Sequence, residues 1–225
     1  MARHVVHAAV EAALEPAQQT GLGRGQVHAG HADLGKSERA RVLAQALQQA
    51  LAHVVSPRTV RHPMHPPILE TRREHWPDES ACRAAAQRLA AHAALRDAFI
   101  ELRGPLGAGK TSFTRHLLRA LGVSGRIKSP SYAVVEPYEL ARTDGPPGAA
   151  FHFDFYRFGD DEREWEDAGF RDIFAGPGLK LVEWPERAGE TLPSPDLRVE
   201  LEPLTGDQRA VTWIAYTARG RSLLA

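Results

Sequence analysis

The spacing of hydrophobic residues divides the larger, later part of the chain into short strands and helices. A helix is predicted over 78–96, where Asp78 or Ser80 can cap its start and small apolar residues recur on one side. The apolar run at 99–102 predicts a strand, and hydrophobic residues at helical spacing predict a second helix over 110–121. A short glycine-rich loop separates this strand from this helix.

Strict alternation of apolar and polar residues over 151–158 predicts a strand with two different faces. Three phenylalanines share one face, and a polar trio shares the other: His152, Asp154 and Tyr156. A carboxylate in so aromatic a strand needs either a metal ion or a salt bridge to an arginine such as Arg157, because burying it alone is costly.

The remaining hydrophobic runs complete the predicted elements. Strands are predicted at 133–136, 178–183, 197–202 and 210–217, and an acidic helix followed by a shorter one is predicted within 160–174. The strand at 178–183 is apolar until it ends in Glu183, and Pro185 stops it. The last two strands are joined by a tight turn and predict a closing antiparallel hairpin.

Residues 1–70 differ in composition from the rest, and the first aromatic residue of the chain is Trp76. One stretch, 37–55, has the spacing of an amphipathic helix. Because so long a segment without aromatic residues is a poor candidate for a packed domain, we predict two parts. Residues 1–70 form a poorly ordered or spurious extension, and residues 71–225 form the folded domain. Met64 stands where the composition changes, so the natural start is predicted at or near it.

Composition and charge restrict the class of protein. Lys and Arg total 28, as do Asp and Glu, so the net charge predicts no nucleic-acid partner by itself. The single cysteine, Cys82, excludes an internal disulfide framework and is typical of a reducing cytoplasm, where we expect the protein. No apolar run is long enough to span a membrane, and no membrane partner is predicted.

The glycine-rich loop reads G-P-L-G-A-G-K-T from Gly104 to Thr111. It matches G-x-x-x-x-G-K-[ST] in the strand–loop–helix context that a phosphate-binding loop requires. Its glycines let backbone N–H groups converge on an anion, and the helix N-terminus adds partial positive charge. Lys110 can reach the β- and γ-phosphates, and the Thr111 hydroxyl can bind Mg²⁺. The loop therefore predicts a site for a nucleoside triphosphate.

A second polar loop precedes the strand at 133–136. It carries the hydroxyls of Ser129 and Ser131 beside Lys128, and these groups can sense a γ-phosphate. An ordinary loop fixed by Pro130 explains the same residues equally well.

Four segments together resemble the TsaE family, also called YjeE, the P-loop ATPases of bacterial tRNA N6-threonylcarbamoyladenosine synthesis. They are G-P-L-G-A-G-K-T, K-S-P-S-Y, F-H-F-D-F-Y-R and L-V-E-W-P-E-R. The resemblance covers about residues 76–220, and the last two segments are more specific than the phosphate-binding loop. It implies an α/β fold, a P-loop NTPase-like three-layer sandwich whose mixed central β-sheet is flanked by helices.

The resemblance also implies which residues form the site. ATP would be bound by Gly104, Leu106, Gly107, Ala108, Gly109, Lys110, Thr111, Ser112 and Trp184. Mg²⁺ would be bound by Thr111, Asp154 and Glu183, and catalysis would use Lys110 with the two acids. Which acid binds the metal and which orients the attacking water is left open. Lys128, Ser129 and Ser131 match a switch-like loop, in which Ser131 replaces the family's usual threonine.

The implied function is Mg²⁺-dependent hydrolysis of ATP, weak in the isolated protein and stimulated by the TsaD and TsaB proteins. Together these proteins form N6-threonylcarbamoyladenosine at position 37 of tRNAs that read ANN codons, so tRNA would be met indirectly, through the complex. Two alternatives share the phosphate-binding motif. One is a P-loop kinase that phosphorylates a small molecule, and the other is a nucleotide-gated assembly switch with little catalysis.

Translation of the native gene is expected to begin at or near Met64. The intact mass of the protein made from that gene measures this directly, and a product that begins at Met1 contradicts it.

Overall fold

A computed structural model of the chain describes residues 66–130, 134–141, 148–157 and 170–225. These residues form a seven-stranded sheet in the order β1-β7-β6-β2-β5-β4-β3. The strands are β1 (Glu70–Trp76), β2 (Phe99–Arg103), β3 (Val135–Leu140), β4 (Gly148–Asp154), β5 (Leu179–Glu183), β6 (Leu197–Pro203) and β7 (Arg209–Ala215). The helices are α1 (Glu79–Ala90), α2 (Lys110–Ala120), α3 (Phe170–Ala175) and α4 (Ala218–Ser222), with 3₁₀ helices at Ala93–Asp97 and Pro185–Thr191.

The centre of the sheet is parallel and its margins are antiparallel. Strands β6, β2, β5 and β4 run in the same direction, whereas β1, β7 and β3 pair antiparallel to their neighbours. The predicted mixed sheet flanked by helices is therefore confirmed, and so is the closing hairpin of β6 and β7.

Helices on both faces of the sheet divide the buried residues into two cores. On one face, α1 and α2 pack against apolar side chains of the central strands, including Ile100 and Leu102. On the other face, α3 and the Pro185–Thr191 helix pack against the phenylalanines of β4. The predicted alternation along β4 is confirmed, because its phenylalanines enter the second core while its polar residues point away from it.

Two predicted elements end several residues before the position that the sequence pattern indicates. The helix predicted over 78–96 is capped by Asp78 as expected but stops at Ala90. A 3₁₀ turn follows, which buries Leu95 completely and directs the chain into β2. The strand predicted over 151–158 stops at Asp154, because its carboxylate accepts a hydrogen bond from the N–H of Tyr156 at 3.0 Å and turns the chain.

Strand β1 has no counterpart among the predicted elements. Its sequence, E-T-R-R-E-H-W, is mostly charged, because it lies at the edge of the sheet and only its last residue, Trp76, is fully buried. Charged residues on an edge strand discourage pairing with other chains, but they also remove the hydrophobic pattern by which strands are recognised. The ring of Trp76 stacks on Phe113 of α2 at 5.7 Å, which fixes this edge against the helix.

Several predictions concern parts of the chain outside the described residues. They are the helix at 37–55, the start at Met64, Ser131 and the acidic helix before α3. The domain boundary after residue 70 stays a prediction, and the described sheet already includes Glu70.

Lys180 is a buried cation at the start of β5, at the end of the sheet opposite the glycine-rich loop. Its side chain is 4 % exposed and its ammonium donates to the carbonyl of Gly176. Burial lowers the pKa of Lys180 to about 8; nearby Asp97 and Asp196 oppose this change and Arg219 adds to it. Folding therefore favours the neutral amine.

Replacing Lys180 by methionine should change how stability depends on pH. Because the folded pKa lies below the usual 10.5, the cost of charging Lys180 is present below pH 8 and disappears between pH 8 and 10.5. The free energy of unfolding of the wild type, minus that of Lys180→Met, should rise by about 2–3 kcal/mol over this range. Urea denaturation at several pH values measures it, with the exposed Lys128→Met as control. A difference that does not vary with pH contradicts the assignment.

Candidate active site

Three strands of the parallel centre end side by side at one edge of the sheet, and each contributes to the same site. The glycine-rich loop follows β2, Asp154 ends β4, and Glu183 ends β5. The strand register sets Glu183 between Leu102 of β2 and Asp154 of β4. This edge, at the carboxyl ends of parallel strands, is where ligands of open α/β sheets usually bind.

The loop between β2 and α2 is shaped by glycines with positive φ. Gly104, Gly107 and Gly109 have φ values of 139°, 79° and 104°, a region that other residues rarely adopt. Gly104 also lies against β6, where a Cβ atom would be 2.3 Å from the carbonyl oxygen of Leu201. Helix α2 begins directly after Gly109, so its free N–H groups point into the concave side of the loop.

The ammonium of Lys110 is enclosed by the loop and by an aromatic ring. It donates to the carbonyl oxygens of Gly104 at 2.6 Å and Pro105 at 2.9 Å, and it lies 3.9 Å from the ring centroid of Trp184. Only 4 % of the residue is exposed. Burial lowers the pKa of Lys110, while the carboxylates of Glu183 and Asp154, among others, oppose this effect.

Glu183 connects the helix to the sheet. One oxygen of its carboxylate accepts a hydrogen bond from the Thr111 hydroxyl at 2.8 Å, and the other lies 2.8 Å from Nε2 of His152. The side chain is 2 % exposed, so these contacts hold it in one orientation.

Asp154 is held separately from Glu183. Its carboxylate accepts hydrogen bonds from the Ser129 hydroxyl and from the N–H of Tyr156. The two acids are therefore adjacent through the register of their strands, but each has its own donors.

Trp184 closes one side of the site in an unusual backbone conformation. Its φ and ψ of 58° and 47° are left-handed, which is costly for a residue other than glycine. Trp184 comes directly after Glu183, and this conformation places its indole over Lys110. The centroids of the Tyr156 ring and the indole are 4.8 Å apart. Backbone strain of this kind is concentrated at functional sites.

These groups line an open cavity of about 530 Å³. Its lining includes most of the predicted site residues: Leu106, Gly107, Ala108, Gly109, Lys110, Thr111, Ser112, Ser129, Asp154, Glu183 and Trp184. Gly104 contributes its carbonyl to Lys110. Lys128 is exposed on the surface, and Ser131 lies outside the described residues.

Two residues that support the site are absent from the predicted set. His152 contacts Glu183, and Arg209 of β7 donates to the carbonyl oxygens of Ala108 at 2.9 Å and Gly107 at 3.3 Å. The alternation along β4 puts His152 on the same face as Asp154, so the sequence pattern indicates that His152 lies near the site. No local pattern marks Arg209, because the residues it joins are about a hundred positions apart in the sequence.

A second, smaller cavity of about 210 Å³ lies on the other side of the loop. It shares Ala108, Gly109 and Ser112 with the first cavity, so the two meet at the start of α2. Its remaining lining includes Trp76, Asp78, Glu79, Cys82, Leu201, Asp207 and Arg209.

The oxygen atoms beside the loop suit Mg²⁺. Within the described residues, no group of three or more His, Cys, Asp or Glu side chains is arranged to hold a metal ion on its own. Mg²⁺ is typically bound through one or two carboxylates together with phosphates and water, and here a hydroxyl and a carboxylate are 2.8 Å apart beside the phosphate-binding loop. Thr111, Glu183 and the neighbouring Asp154 therefore fit this ion.

Residues 76–211 match the family model described as "Threonylcarbamoyl adenosine biosynthesis protein TsaE". The chain belongs to the TsaE family. The predicted family resemblance is thus confirmed, over a range that contains the loop, both acids and Trp184. Among the described residues, none of the helices is both long and apolar enough to cross a membrane.

Individual members of the TsaE family are also similar to this chain in sequence and in structure. The "tRNA threonylcarbamoyladenosine biosynthesis protein TsaE" of Haemophilus influenzae is 38 % identical over 126 residues, which are 56 % of this chain and 75 % of that protein. The protein of the same name from Bacillus subtilis is 35 % identical over 143 residues, covering 64 % and 84 % of the two chains. A crystal structure of Bacillus subtilis YdiB superposes with a TM-score of 0.55 at 25 % identity, covering 71 % of this chain and 95 % of YdiB.

Replacing Gly104 by alanine should destabilise the fold more than the same change at Gly107. Both residues have positive φ, which costs an alanine roughly 1–2 kcal/mol. A Cβ at Gly104 would also clash with the backbone of Leu201, whereas a Cβ at Gly107 meets no atom within 4 Å. We expect an additional loss of about 1–3 kcal/mol in the free energy of unfolding for Gly104→Ala. Urea denaturation of both variants tests this, and equal losses would show that the loop is not packed against β6.

Proposed function

We propose that this protein is a Mg²⁺-dependent ATPase that acts with TsaD and TsaB in forming N6-threonylcarbamoyladenosine at position 37 of tRNAs reading ANN codons. The observation that carries the proposal is the convergence of three groups at one edge of the sheet. The phosphate-binding loop with Lys110, the Thr111–Glu183 pair and Asp154 all line one cavity. The names of the relatives support the pathway.

The loop and Lys110 would hold the triphosphate. The N–H groups at the start of α2 face the cavity and suit the negative charge of phosphate oxygens. Lys110 is the first residue of α2, and its ammonium, bonded here to the carbonyls of Gly104 and Pro105, would turn toward the β- and γ-phosphates. Because these donors are buried and already oriented, they can stabilise charge that develops as the γ-phosphoryl group is transferred to water.

The two acids would complete the site for cleavage. Thr111 and one or both carboxylates would hold Mg²⁺, which supplies positive charge to the phosphate oxygens. Asp154 and Glu183 are adjacent on neighbouring strands, and either can accept a hydrogen bond from the attacking water. The Ser129 hydroxyl fixes Asp154, so the loop that contains Ser129 is connected to the site through this acid.

The nucleoside would extend into the smaller cavity. That cavity begins at Gly109 and Ser112, where a triphosphate held by the loop would continue toward its sugar. Its lining combines the aromatic ring of Trp76 with carboxylates and Arg209, a combination suited to a base and a ribose.

A partner protein would contact the mouth of the larger cavity. Two large apolar side chains there are solvent-exposed, Leu106 by 73 % and Tyr156 by 41 %. Exposed apolar residues beside an open site suit contact with TsaD or TsaB in the cytoplasm, and covering the site would exclude water and strengthen its electrostatic interactions. tRNA would be met through this complex.

The test is phosphate release from ATP and Mg²⁺ by the full chain, alone and with purified TsaD and TsaB. We expect weak release by the isolated chain and stimulation by the partners. Lys110→Ala should lower the stimulated rate by about a hundredfold or more, because it removes a charge donor from the site. The exposed Arg73→Ala on the edge strand β1, outside the cavity, serves as the control for loss of a surface cation.

The possible outcomes separate the alternatives. Wild-type turnover in Lys110→Ala contradicts the role of this residue. Loss of ATP without release of free phosphate would identify a kinase. Partner assembly and tRNA modification that persist in a variant able to bind but not hydrolyse ATP would identify a nucleotide-gated switch.

A further inference from the structure

His152 is a completely buried histidine on β4, two residues before Asp154 of the candidate active site. It lies on β4 opposite Leu181 of β5, and the next pair along these strands on the same face is Asp154 and Glu183. Its Nε2 atom is 2.8 Å from Oε1 of Glu183, whose other oxygen accepts the hydrogen bond of Thr111. His152 is therefore the group that contacts Glu183 from the side opposite the loop.

The contacts of its ring define which nitrogen carries the hydrogen. An ionised carboxylate only accepts hydrogen bonds, so the nitrogen beside Glu183 must be the donor, Nε2–H. The other nitrogen, Nδ1, is buried and has no hydrogen-bonding partner within the described residues. A hydrogen on Nδ1 would be a buried donor without an acceptor, which disfavours the other tautomer.

We propose that His152 is a positioning residue for the metal-binding carboxylate of Glu183. Its Nε2–H holds Oε1, so that Oε2, beside the Thr111 hydroxyl, would be available to bind Mg²⁺. The inference rests on the proposed function, because it assigns a role within the same site.

An uncharged donor suits this role better than a lysine or an arginine. A cation bonded to Glu183 would compete with Mg²⁺ for the negative charge of the carboxylate, since both are attracted to the same oxygens. A neutral N–H fixes the direction of the carboxylate and leaves its charge available. Such outer hydrogen bonds to metal ligands orient them, and their loss typically lowers metal affinity by about 10–100-fold.

The test compares three substitutions in the full chain. His152→Gln places an amide N–H near the position of Nε2, His152→Asn carries the same amide but is too short to reach Glu183, and His152→Leu has no donor. The dissociation constant of a fluorescent, non-hydrolysable ATP analogue is measured in EDTA and over a range of Mg²⁺ concentrations. Thermal unfolding of each variant is measured in parallel.

We expect the Mg²⁺ concentration that gives half-maximal tightening of analogue binding to rise about tenfold or more in His152→Leu and His152→Asn. His152→Gln should stay within about threefold of the wild type, and binding in EDTA should change by less than about threefold in all variants that fold. If His152→Leu does not fold, the Gln and Asn variants decide the matter, because they differ only in reach.

Equal Mg²⁺ dependence of the Gln and Asn variants, or equal losses of binding with and without Mg²⁺, would overturn the role of His152. A double variant with Glu183→Gln gives a second criterion, because the effect of His152→Asn on Mg²⁺ dependence should vanish when the carboxylate is absent. If the wild type itself shows no tightening of analogue binding by Mg²⁺, the proposed function fails, and this outcome is distinct from a failure confined to His152.

Discussion

The parallel pairing of β2, β5 and β4 is the constraint on which the candidate site depends. Parallel strands end at the same edge of a sheet, and the register sets Leu102, Glu183 and Asp154 side by side although they are far apart in the sequence. A shift of β4 by one residue would exchange its two faces, moving Asp154 out of the cavity and its phenylalanines out of the second core, because successive side chains alternate between the faces. The aromatic packing that fixes this register therefore also determines where the charges are.

Within this frame, Lys110, Glu183 and Asp154 each already have a partner from the protein. Lys110 donates to two loop carbonyls, Glu183 accepts from Thr111, and Asp154 accepts from Ser129. A bound nucleotide has to compete with those carbonyl oxygens for the ammonium of Lys110. Such competition lowers the affinity for the nucleotide. The same carbonyl oxygens, however, compensate the buried charge of Lys110, which would be costly if it were unpaired. The indole of Trp184 also stabilises the charge of Lys110, through a cation–π contact.

The parts of the fold that could be predicted are those whose determinants are local. The glycine-rich loop, the alternation of β4 and the apolar strand that ends in Glu183 each contain their own pattern. Strand β1 could not be recognised, because an edge strand is stabilised by backbone pairing with β7 and needs little hydrophobic surface. The early end of β4 depends on one hydrogen bond from the N–H of Tyr156 to Asp154, which no periodicity expresses.

The side chains that face a ligand belong to local sequence patterns, whereas the side chains that hold those groups in position do not. Loop residues that face the cavity belong to short motifs, because the geometry of phosphate binding fixes both their type and their spacing. Arg209 and His152 instead act on carbonyls or a carboxylate of other elements, and only the assembled sheet brings them there. Their residue types are understandable afterwards: an arginine can donate to two carbonyls at once, and an imidazole can donate without adding charge. Sequence motifs thus define the inner surface of such a site, whereas its supporting hydrogen bonds follow from tertiary structure.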